Sequence, residues 1–412
     1  MLSRTEAIME RRLAEFLELE ALAARQGTIP PGRLQFTFEA FLDGYWADRS
    51  NPDLVDADLA GLSALHHYLI GQVAMRLAAE ESAEAAAAFQ TGRAVPSLLA
   101  DLPHGAGALG MRCLKSTRYF IVGDLHADDD ALQLVLQVSD FWERQAKSED
   151  FVIVCLGDYV DCGHQHLKTL ERLLALKTLF PTRFCLLRGN HDGGRILADG
   201  SVQPPYRIPA TDDPLDYFPP YMQALAAGNP SLDPGLLAAW LNLFDCLPYI
   251  AWLEAGGQAW QCVHGGLPRP GRGQSLADGG QLKTHWDHLD SLADITMHGQ
   301  PDNAGASIRE NLIWSDPCRD DDDLRLQSRR FGFSAAHFDS WCAAFGLAGI
   351  FRGHEVAENG VEEHFGGRLL TVFSSGSTAD SHYSWVKPAI VELSGDGQRR
   401  ILPLRPEAAK VL

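Results

Sequence analysis

Several features that would place this chain in a specialised class are missing from it. It has no run of 18 or more apolar residues, and its first residues lack the apolar stretch of a secretory signal. Its eight cysteines never form a Cys-x-x-Cys pair, and three of them lie inside apolar runs. Such cysteines behave as free, small hydrophobic side chains in a reducing compartment. We therefore expect a cytoplasmic protein without disulfides and without a membrane span.

Positive charge is also scarce. The chain has 35 Lys and Arg against 54 Asp and Glu, a formal net charge of −19. This balance argues against a nucleic-acid-binding surface and is compatible with cationic protein partners. With 46% hydrophobic residues over 412 positions, the chain can bury one large domain and hold an extension.

Five short motifs with polar side chains are the most informative feature that is present. Each follows a short apolar run typical of a strand that is buried on both faces of a sheet. Side chains at the ends of such strands lie where α/β proteins place their binding sites. The motifs are Gly123-Asp124-Leu125-His126, Gly157-Asp158-Tyr159-Val160-Asp161, Gly189-Asn190-His191-Asp192, His264-Gly265-Gly266 and Arg352-Gly353-His354.

The spacing of the first three motifs predicts βαβ units. Asp124 and Asp158 are 34 residues apart, and Asp158 and Asn190 are 32 apart, which is the length of such a unit. Apolar residues over 132–138 and over 167–179 fit the connecting helices. Parallel strands joined in this way end at one edge, so we expect the motifs to converge.

The residue types favour a site for two divalent ions and a phosphoester. Asp124 and His126, two apart on extended backbone, project to the same side and can share one ion. Mixed oxygen and imidazole ligands suit Mn, Fe or Zn better than Ca or Mg. Asp158 is the carboxylate that can bridge to a second ion. The remaining ligands of that ion would be Asn190, His264 and His354.

The same motifs contain a candidate general acid. Two ions about 3.5–4 Å apart polarise phosphoryl oxygens and activate a bridging water as the nucleophile. His191 would point toward the leaving oxygen, with Asp161 orienting its ring. An acid placed in this way contributes roughly 10²–10⁴ in rate.

From about Cys113 to about Leu393, the chain resembles the PPP family of phosphoprotein phosphatases, the metal-dependent Ser/Thr phosphatases that include calcineurin. Besides the motifs, Phe244-Asp245-Cys246-Leu247-Pro248 and Leu312-Ile313-Trp314-Ser315-Asp316-Pro317 are nearly the family's wording. The resemblance implies an α/β fold with a central β-sandwich flanked by helices, a dinuclear site at its rim and a phosphoprotein or phosphopeptide substrate. It assigns the acid role to His191 with Asp161. It assigns metal roles to Asp124, His126, Asp158, Asn190, His264 and His354.

The chain departs from the family's pattern where the phosphate is clamped. Cys162 stands where the family has an Arg, and we interpret it as a small residue in a more open site rather than as a redox switch. The family's C-terminal loop has a Tyr beside the metals, whereas 373–378 has none and the next is Tyr383. The family's other phosphate-binding Arg corresponds to Arg329 or Arg330, of which we favour Arg330.

Asn190 is the second candidate for binding the substrate phosphate, and Arg195 in the 195–230 loops could compensate for the missing Arg. The motif residue after His191 is Asp192 instead of the family's Glu. Metal binding and hydrolysis are therefore better supported than phosphate clamping.

The chain divides near residue 110. Residues 1–110 are expected to form an N-terminal helical extension, and residues 111–412 a metallophosphatase catalytic domain. Helical patterns over 1–27 and 59–89 favour a layer packed on the catalytic domain over an autoinhibitory or targeting module. Residues 199–235, rich in Pro, Gly and Asp, are expected to form surface loops or a cap.

Three functions compete at this point. The first is a phosphoprotein phosphatase acting on phospho-Ser/Thr and, in an open site, phospho-Tyr. The second is a small-molecule or nucleotide phosphoesterase on the same fold. The motifs His264-Gly265-Gly266 and Trp314-Ser315-Asp316-Pro317 argue against it, because they resemble those of the protein phosphatases. The third is a catalytically dead binding module, which the complete set of ligands and the acid His191 argue against.

Overall fold

The computed structural model describes residues 4–25, 27, 29–30, 32–46, 59–91, 94–108, 110–270, 277–278, 281–282, 308–318, 330–378 and 381–405. The helices in these ranges are α1 (Arg4–Ala23), α2 (Arg33–Trp46), α3 (Leu59–Glu80), α4 (Ala83–Phe89), α5 (Val95–Asp101), α6 (Asp129–Val138), α7 (Phe141–Ala146), α8 (His166–Leu179), α9 (Phe218–Gly228), α10 (Leu236–Cys246), α11 (Ile308–Trp314) and α12 (Ala335–Phe345). The strands are β1 (Gly107–Ala108), β2 (Met111–Lys115), β3 (Arg118–Val122), β4 (Val152–Cys155), β5 (Phe184–Leu186), β6 (Arg195–Ile196), β7 (Val202–Gln203), β8 (Ile250–Ala255), β9 (Gln258–Val263), β10 (Ala277–Asp278), β11 (Gln281–Leu282), β12 (Asp316–Pro317), β13 (Gly332–Phe333), β14 (Leu347–Arg352), β15 (Val361–His364), β16 (Leu369–Val372), β17 (Ala389–Ser394) and β18 (Arg399–Pro403).

Two sheets form the centre of the molecule. One has seven strands in the order β1-β2-β8-β9-β14-β16-β15, and the other has five in the order β18-β17-β3-β4-β5. Their inner faces share one apolar cluster, to which Ile121 and Val154 come from the five-stranded sheet and Leu253 and Phe351 from the seven-stranded sheet. The α/β fold with a central β-sandwich flanked by helices is therefore confirmed.

Helices cover both outer faces of the sandwich. Helices α1, α2, α3, α6, α7, α8, α9 and α10 share a core with Phe120 and Ile153 of the five-stranded sheet. Helices α4, α5, α11 and α12 share another core with Trp252 and Ile350 of the seven-stranded sheet. Within the described parts of the chain, no helix is both long and apolar enough to cross a bilayer.

The helices before residue 110 pack on both sides of the molecule. Helix α1 contacts α2 and α3, α2 contacts α8, and α3 contacts α8 and α10, whereas α5 contacts β2, β8 and β9. The expected helices over 1–27 and 59–89 correspond to α1 and to α3 with α4. A domain boundary at residue 110 stays a prediction.

The five motifs leave the sandwich from two sheets rather than one. Strands β3, β4 and β5 are parallel neighbours, so the first three motifs leave one edge, as expected. Strands β9 and β14, which precede the last two motifs, are parallel neighbours in the other sheet. The expectation of a single sheet edge therefore holds only for the first three motifs, and the site forms across the rim of the sandwich.

Residues 199–235 contain more regular structure than expected. Helix α9 lies in this range and buries Phe218, Tyr221 and Met222 against the core. Pro219 falls in the first turn of α9, where its missing N–H breaks no helical hydrogen bond. The proline content that indicated loops therefore also marks the start of a helix.

Candidate metal centre

The backbones of neighbouring motifs approach the two central carboxylates closely. A Cβ atom at Gly189 would lie 2.1 Å from Asp158 Oδ1, and one at Gly353 would lie 2.2 Å from Asp124 Oδ1. The backbone N–H of His191 donates a hydrogen bond to Asp158 Oδ1 at 2.9 Å. These two motifs therefore need glycine, because a side chain there would displace a carboxylate of the site.

Asp124, His126 and Asp158 form a first group of potential ligands. One donor atom of each lies within 4.8 Å of those of the other two. His126 Nε2 is 3.7 Å from Asp124 Oδ2 and 3.9 Å from Asp158 Oδ2. All three side chains are buried, so the group is enclosed on the protein side.

A second group adds His264, His354 and Asn190 to Asp158. Donor atoms of Asp158 and the two histidines lie within 4.8 Å of one another, with Asp158 Oδ2 3.3 Å from His264 Nε2. Asn190 Oδ1 lies 2.7 Å from His264 Nε2 and 2.8 Å from His354 Nδ1. Asp158 thus belongs to both groups, which is the position of a bridging ligand.

The donor set fits two divalent ions. The Nδ1 atoms of His126 and His264 lie 3.2 Å and 3.0 Å from backbone carbonyls, an arrangement that orients Nε2 toward a metal. Burial and the nearby Asp158 carboxylate raise the pKa of Asp124 to about 7, although His264 opposes the shift. Buried carboxylates that are short of positive charge are stabilised by a cation.

Backbone strain is concentrated at the same place. His126, Asp158, Asp161 and His354 have φ angles of 45°, 53°, 67° and 73°. The expectation that His126 lies on extended backbone is therefore wrong, although its side chain still lies beside Asp124. A positive φ angle is uncommon for residues other than glycine, and each residue held in this conformation costs about 1–3 kcal/mol. Such strain clusters at active sites, because the surrounding fold must hold side chains in a required geometry.

His191 and Asp161 lie against the ligand groups as a hydrogen-bonded pair. His191 Nδ1 is 3.1 Å from Asp161 Oδ2, and its Nε2 is 3.8 Å from Asp158 Oδ2. Asp161 Oδ1 accepts a hydrogen bond from the Phe218 N–H at 2.6 Å. Burial lowers the pKa of His191, but Asp158 and Asp161 outweigh it and raise the pKa to about 9. A proton on Nε2 would face the ligand groups.

A family model described as calcineurin-like phosphoesterase matches residues 117–358, which is more than half of the chain. The chain belongs to the calcineurin-like phosphoesterases. Members of this family use divalent metal ions, in agreement with the donor set described above. The match spans all the candidate ligands from Asp124 to His354.

Curated relatives of this phosphoesterase include Ser/Thr phosphatases. The chain is 26% identical over 257 residues to the PP2A-like serine/threonine-protein phosphatase PPG1 of Candida albicans, covering 62% of this chain and 51% of that protein. It is 27% identical over 225 residues to the serine/threonine-protein phosphatase 6 catalytic subunit of Caenorhabditis elegans, covering 54% and 55%. The chain spans about half the length of the curated relatives it matches.

The chain is also similar to a solved structure, that of a serine/threonine phosphatase of Saccharomyces cerevisiae with similarity to human phosphatase PP5. It has a TM-score of 0.48 and 19% sequence identity. The similarity covers 82% of this chain and 91% of that chain.

Asp192 is a site residue that sequence reasoning noted only as a departure from the family. Its Oδ2 accepts hydrogen bonds at 2.8 Å from the backbone N–H groups of Asp158 and Gly189, and its Oδ1 accepts one at 2.9 Å from Tyr159. Asp192 therefore connects the second and third motifs of the phosphoesterase. Its position directly after His191 was the signal available in the sequence.

Tyr206 was missed entirely. Its hydroxyl oxygen lies 2.7 Å from His191 Nδ1, and the two rings are 4.5 Å apart between centroids. It also contacts Trp314, whose ring lies 5.4 Å from that of His354. Tyr206 belongs to no motif, so no local pattern pointed to it.

Cys162 and Tyr383 lie together beside His126. Donor atoms of Cys162, His126 and His191 lie within 4.8 Å of one another. The Tyr383 ring is 5.2 Å from that of His126, and its hydroxyl group hydrogen-bonds with Cys162. Burial raises the pKa of Cys162 to about 12, which disfavours the reactive thiolate. A tyrosine therefore reaches the centre despite its absence from the loop at 373–378.

The candidate arginines are placed differently from one another. Arg330 forms an ion pair with Asp316, whose Oδ1 lies 3.8 Å from His354 Nε2. Arg195 is exposed in β6, and Arg329 lies outside the described residues. The guanidinium group of Arg330 is thus paired with a carboxylate beside the second ligand group. A phosphate contact by Arg330 stays a prediction.

Proposed function

We propose that this phosphoesterase is a metal-dependent phosphoprotein phosphatase that hydrolyses phospho-Ser and phospho-Thr, with phospho-Tyr as a further substrate. The observation that carries the proposal is the position of Asp158, which is shared by both ligand groups and lies beside His191. The names of the curated relatives support a protein substrate. The eight free cysteines fit a cytoplasmic protein.

Two divalent ions are the proposed cofactors, with Mn, Fe or Zn as the candidates and Mn for activity in vitro. When bound, they would supply Lewis-acid activation of a phosphoryl group and of a water nucleophile. The proposed ligands are Asp124, His126, Asp158, Asn190, His264 and His354.

His191 is the proposed general acid. Its Nε2 proton would pass to the leaving oxygen of the phosphoester, while Asp161 holds Nδ1 and keeps the ring oriented. Asn190 and Arg330 are the proposed contacts of the substrate phosphate. A leaving alkoxide is strongly basic, so this proton transfer matters most for phospho-Ser and phospho-Thr.

The test is a substrate panel on the chelated protein reloaded with Mn²⁺. Phospho-Ser, phospho-Thr and phospho-Tyr peptides are compared with mononucleotides, dinucleotide polyphosphates and an aryl phosphate at equal concentration. We expect the peptides to give the highest kcat/KM and the chelated protein to give no turnover. Higher kcat/KM on nucleotides would select the small-molecule phosphoesterase instead. No turnover of any substrate with Mn²⁺, Fe²⁺ or Zn²⁺ would reject the enzyme.

A further inference from the structure

We propose that Tyr206 is a positioning residue for His191, so that the ring of the general acid is held by a His191–Asp161–Tyr206 triad. This inference rests on the proposed function of His191. It adds to the pair a side chain from outside the five motifs.

The first observation is that two side chains contact Nδ1 of His191. Asp161 Oδ2 lies 3.1 Å from this nitrogen, and the Tyr206 hydroxyl oxygen lies 2.7 Å from it. The Tyr206 ring also meets the imidazole edge-on, with an angle of 68° between the planes. Rotation of the imidazole would break both polar contacts, so two partners restrain the ring more than Asp161 alone.

The second observation is that the segment 206–218, which begins with Tyr206, is hydrogen-bonded at its far end to residues at the end of the second motif. The N–H of Cys162 donates to Asp216 O at 2.8 Å, and the N–H of Phe218 donates to Asp161 Oδ1 at 2.6 Å. Tyr206 further packs against Tyr217, at 5.9 Å between centroids. The segment is therefore tied to the second motif near the residue that already holds His191.

The proton balance of this arrangement is simple. With a proton on Nδ1, His191 donates to both the Asp161 carboxylate and the Tyr206 oxygen. Burial raises the pKa of Tyr206 far above its ordinary value, so the phenol keeps its own proton. The acid proton on Nε2 is then the one that leaves, and Nδ1 stays protonated throughout.

The test compares Tyr206→Phe with Tyr217→Phe, both assayed with Mn²⁺. Tyr206→Phe keeps the ring and removes only the hydroxyl group that contacts His191. A hydrogen bond of ordinary strength corresponds to about a 2–12-fold change, so we expect a loss of that size in kcat on a phospho-Ser peptide, with KM unchanged. Tyr217→Phe removes a hydroxyl that donates to Asp212 at 2.6 Å, and should leave kcat within about twofold.

A double-mutant cycle separates positioning from direct substrate contact. In the His191→Ala background, Tyr206→Phe should cause no further loss of kcat, because the residue it positions is gone. The same fold loss in both backgrounds would show that Tyr206 acts on the substrate itself and would overturn the proposal. A loss confined to KM would overturn it as well.

A spectroscopic readout keeps this inference separable from the proposed function. In ¹⁵N-histidine-labelled, Zn²⁺-loaded protein, Tyr206→Phe should shift the Nδ1 resonance of His191, and Tyr217→Phe should not. An unchanged resonance would overturn the triad. If the wild-type protein hydrolyses no phosphoester, the proposed function fails, and the resonance still decides whether Tyr206 holds His191.

Discussion

Two buried polar clusters of this protein differ in how completely their charges are paired with opposite charges. On α8, the Glu171 carboxylate is ion-paired with Arg12 and lies 3.1 Å from His66 Nε2. Its neighbour Arg172 donates to Asp129 at 2.6 Å and to Glu39 at 2.8 Å. Each buried charge of this α8 cluster therefore meets an opposite charge from another helix, and the cluster joins α1, α2, α3 and α6 to α8.

The charges of the metal centre are compensated only in part. Asp124, Asp158 and Asp192 are all buried. Burial opposes ionisation of Asp158, but His264 and His191 outweigh it and lower the pKa of this carboxyl group. Burial raises the pKa of Asp124 and of Asp192 to about 7. The comparison teaches that buried charge alone does not mark a functional site. Buried carboxyl groups whose pKa is raised, such as those of Asp124 and Asp192, are the better indication, because a bound cation would stabilise their charged form.

Removing the proposed bridging carboxylate should have the largest effect on the metal centre. Asp158→Asn replaces one oxygen of the proposed bridging carboxylate with an amide nitrogen that does not coordinate metals, so we expect loss of bound metal, measured by elemental analysis, and no measurable phosphatase activity. The matched control is Asp129→Asn, a buried carboxylate of the α8 cluster, which should destabilise the protein but leave the metal content of the folded fraction unchanged. Two bound ions and normal turnover in Asp158→Asn would disprove the assignment.

Removing the proposed general acid should not change the metal content. His191→Ala is expected to keep the wild-type metal content and to lower kcat on phospho-Ser peptides by roughly 10²–10⁴. The loss should be smaller on an aryl phosphate, since a phenolate leaves without much protonation. Equal losses on the two substrates would argue against an acid role.

Breaking the α8 cluster should affect stability and not chemistry. Arg12→Met leaves the Glu171 carboxylate without its cation, and loss of one partner of a buried pair costs about 3–5 kcal/mol in the free energy of unfolding. Urea denaturation measures this cost, while kcat of the folded protein should not change. Arg11→Met, at an exposed pair with Glu15, should cost less than about 0.5 kcal/mol. Equal costs for the two variants would show that Glu171 needs no partner.

Adding a cation at the centre should tighten phosphate binding. Cys162→Arg supplies the planar, bidentate donor that a thiol cannot provide, so we expect a several-fold lower KM for small phosphomonoesters and stronger inhibition by inorganic phosphate. Cys246→Arg, at an exposed cysteine, is the control. If neither constant changes, position 162 does not face the phosphate.

The smallest expected effect is a pH dependence of stability from the α8 cluster. Burial lowers the pKa of His66 below 6.5, so the unfolded chain takes up a proton at a higher pH than the folded protein does. Stability should therefore fall as the pH drops below about 6.5, by at most about 1.4 kcal/mol per pH unit. The lowered pKa of Glu171 contributes stability that is present above pH 4.5 and is lost only as the pH falls below that value. His66→Gln should reduce the slope between pH 6.5 and 5, and an unchanged slope would locate its origin elsewhere.

Local signals in the sequence predicted much of the site. Apolar runs located β3, β4, β5, β9 and β14, and helical spacing located α6 and α8. Those strands bring the predicted ligands together, because each ligand follows its strand within a few residues. The assignment of these residues to individual metals stays a prediction.

What the sequence by itself determined is the set of candidate ligands at the strand ends, since short motifs report the chemistry of residues close in the chain. Only the tertiary structure decided that the motifs come from two sheets, that Tyr206 reaches His191 and that Tyr383 reaches His126. It also decided that Glu171 meets Arg12 from 159 residues away. Such contacts depend on how helices and loops pack over the sandwich, and no local pattern of residues encodes that packing.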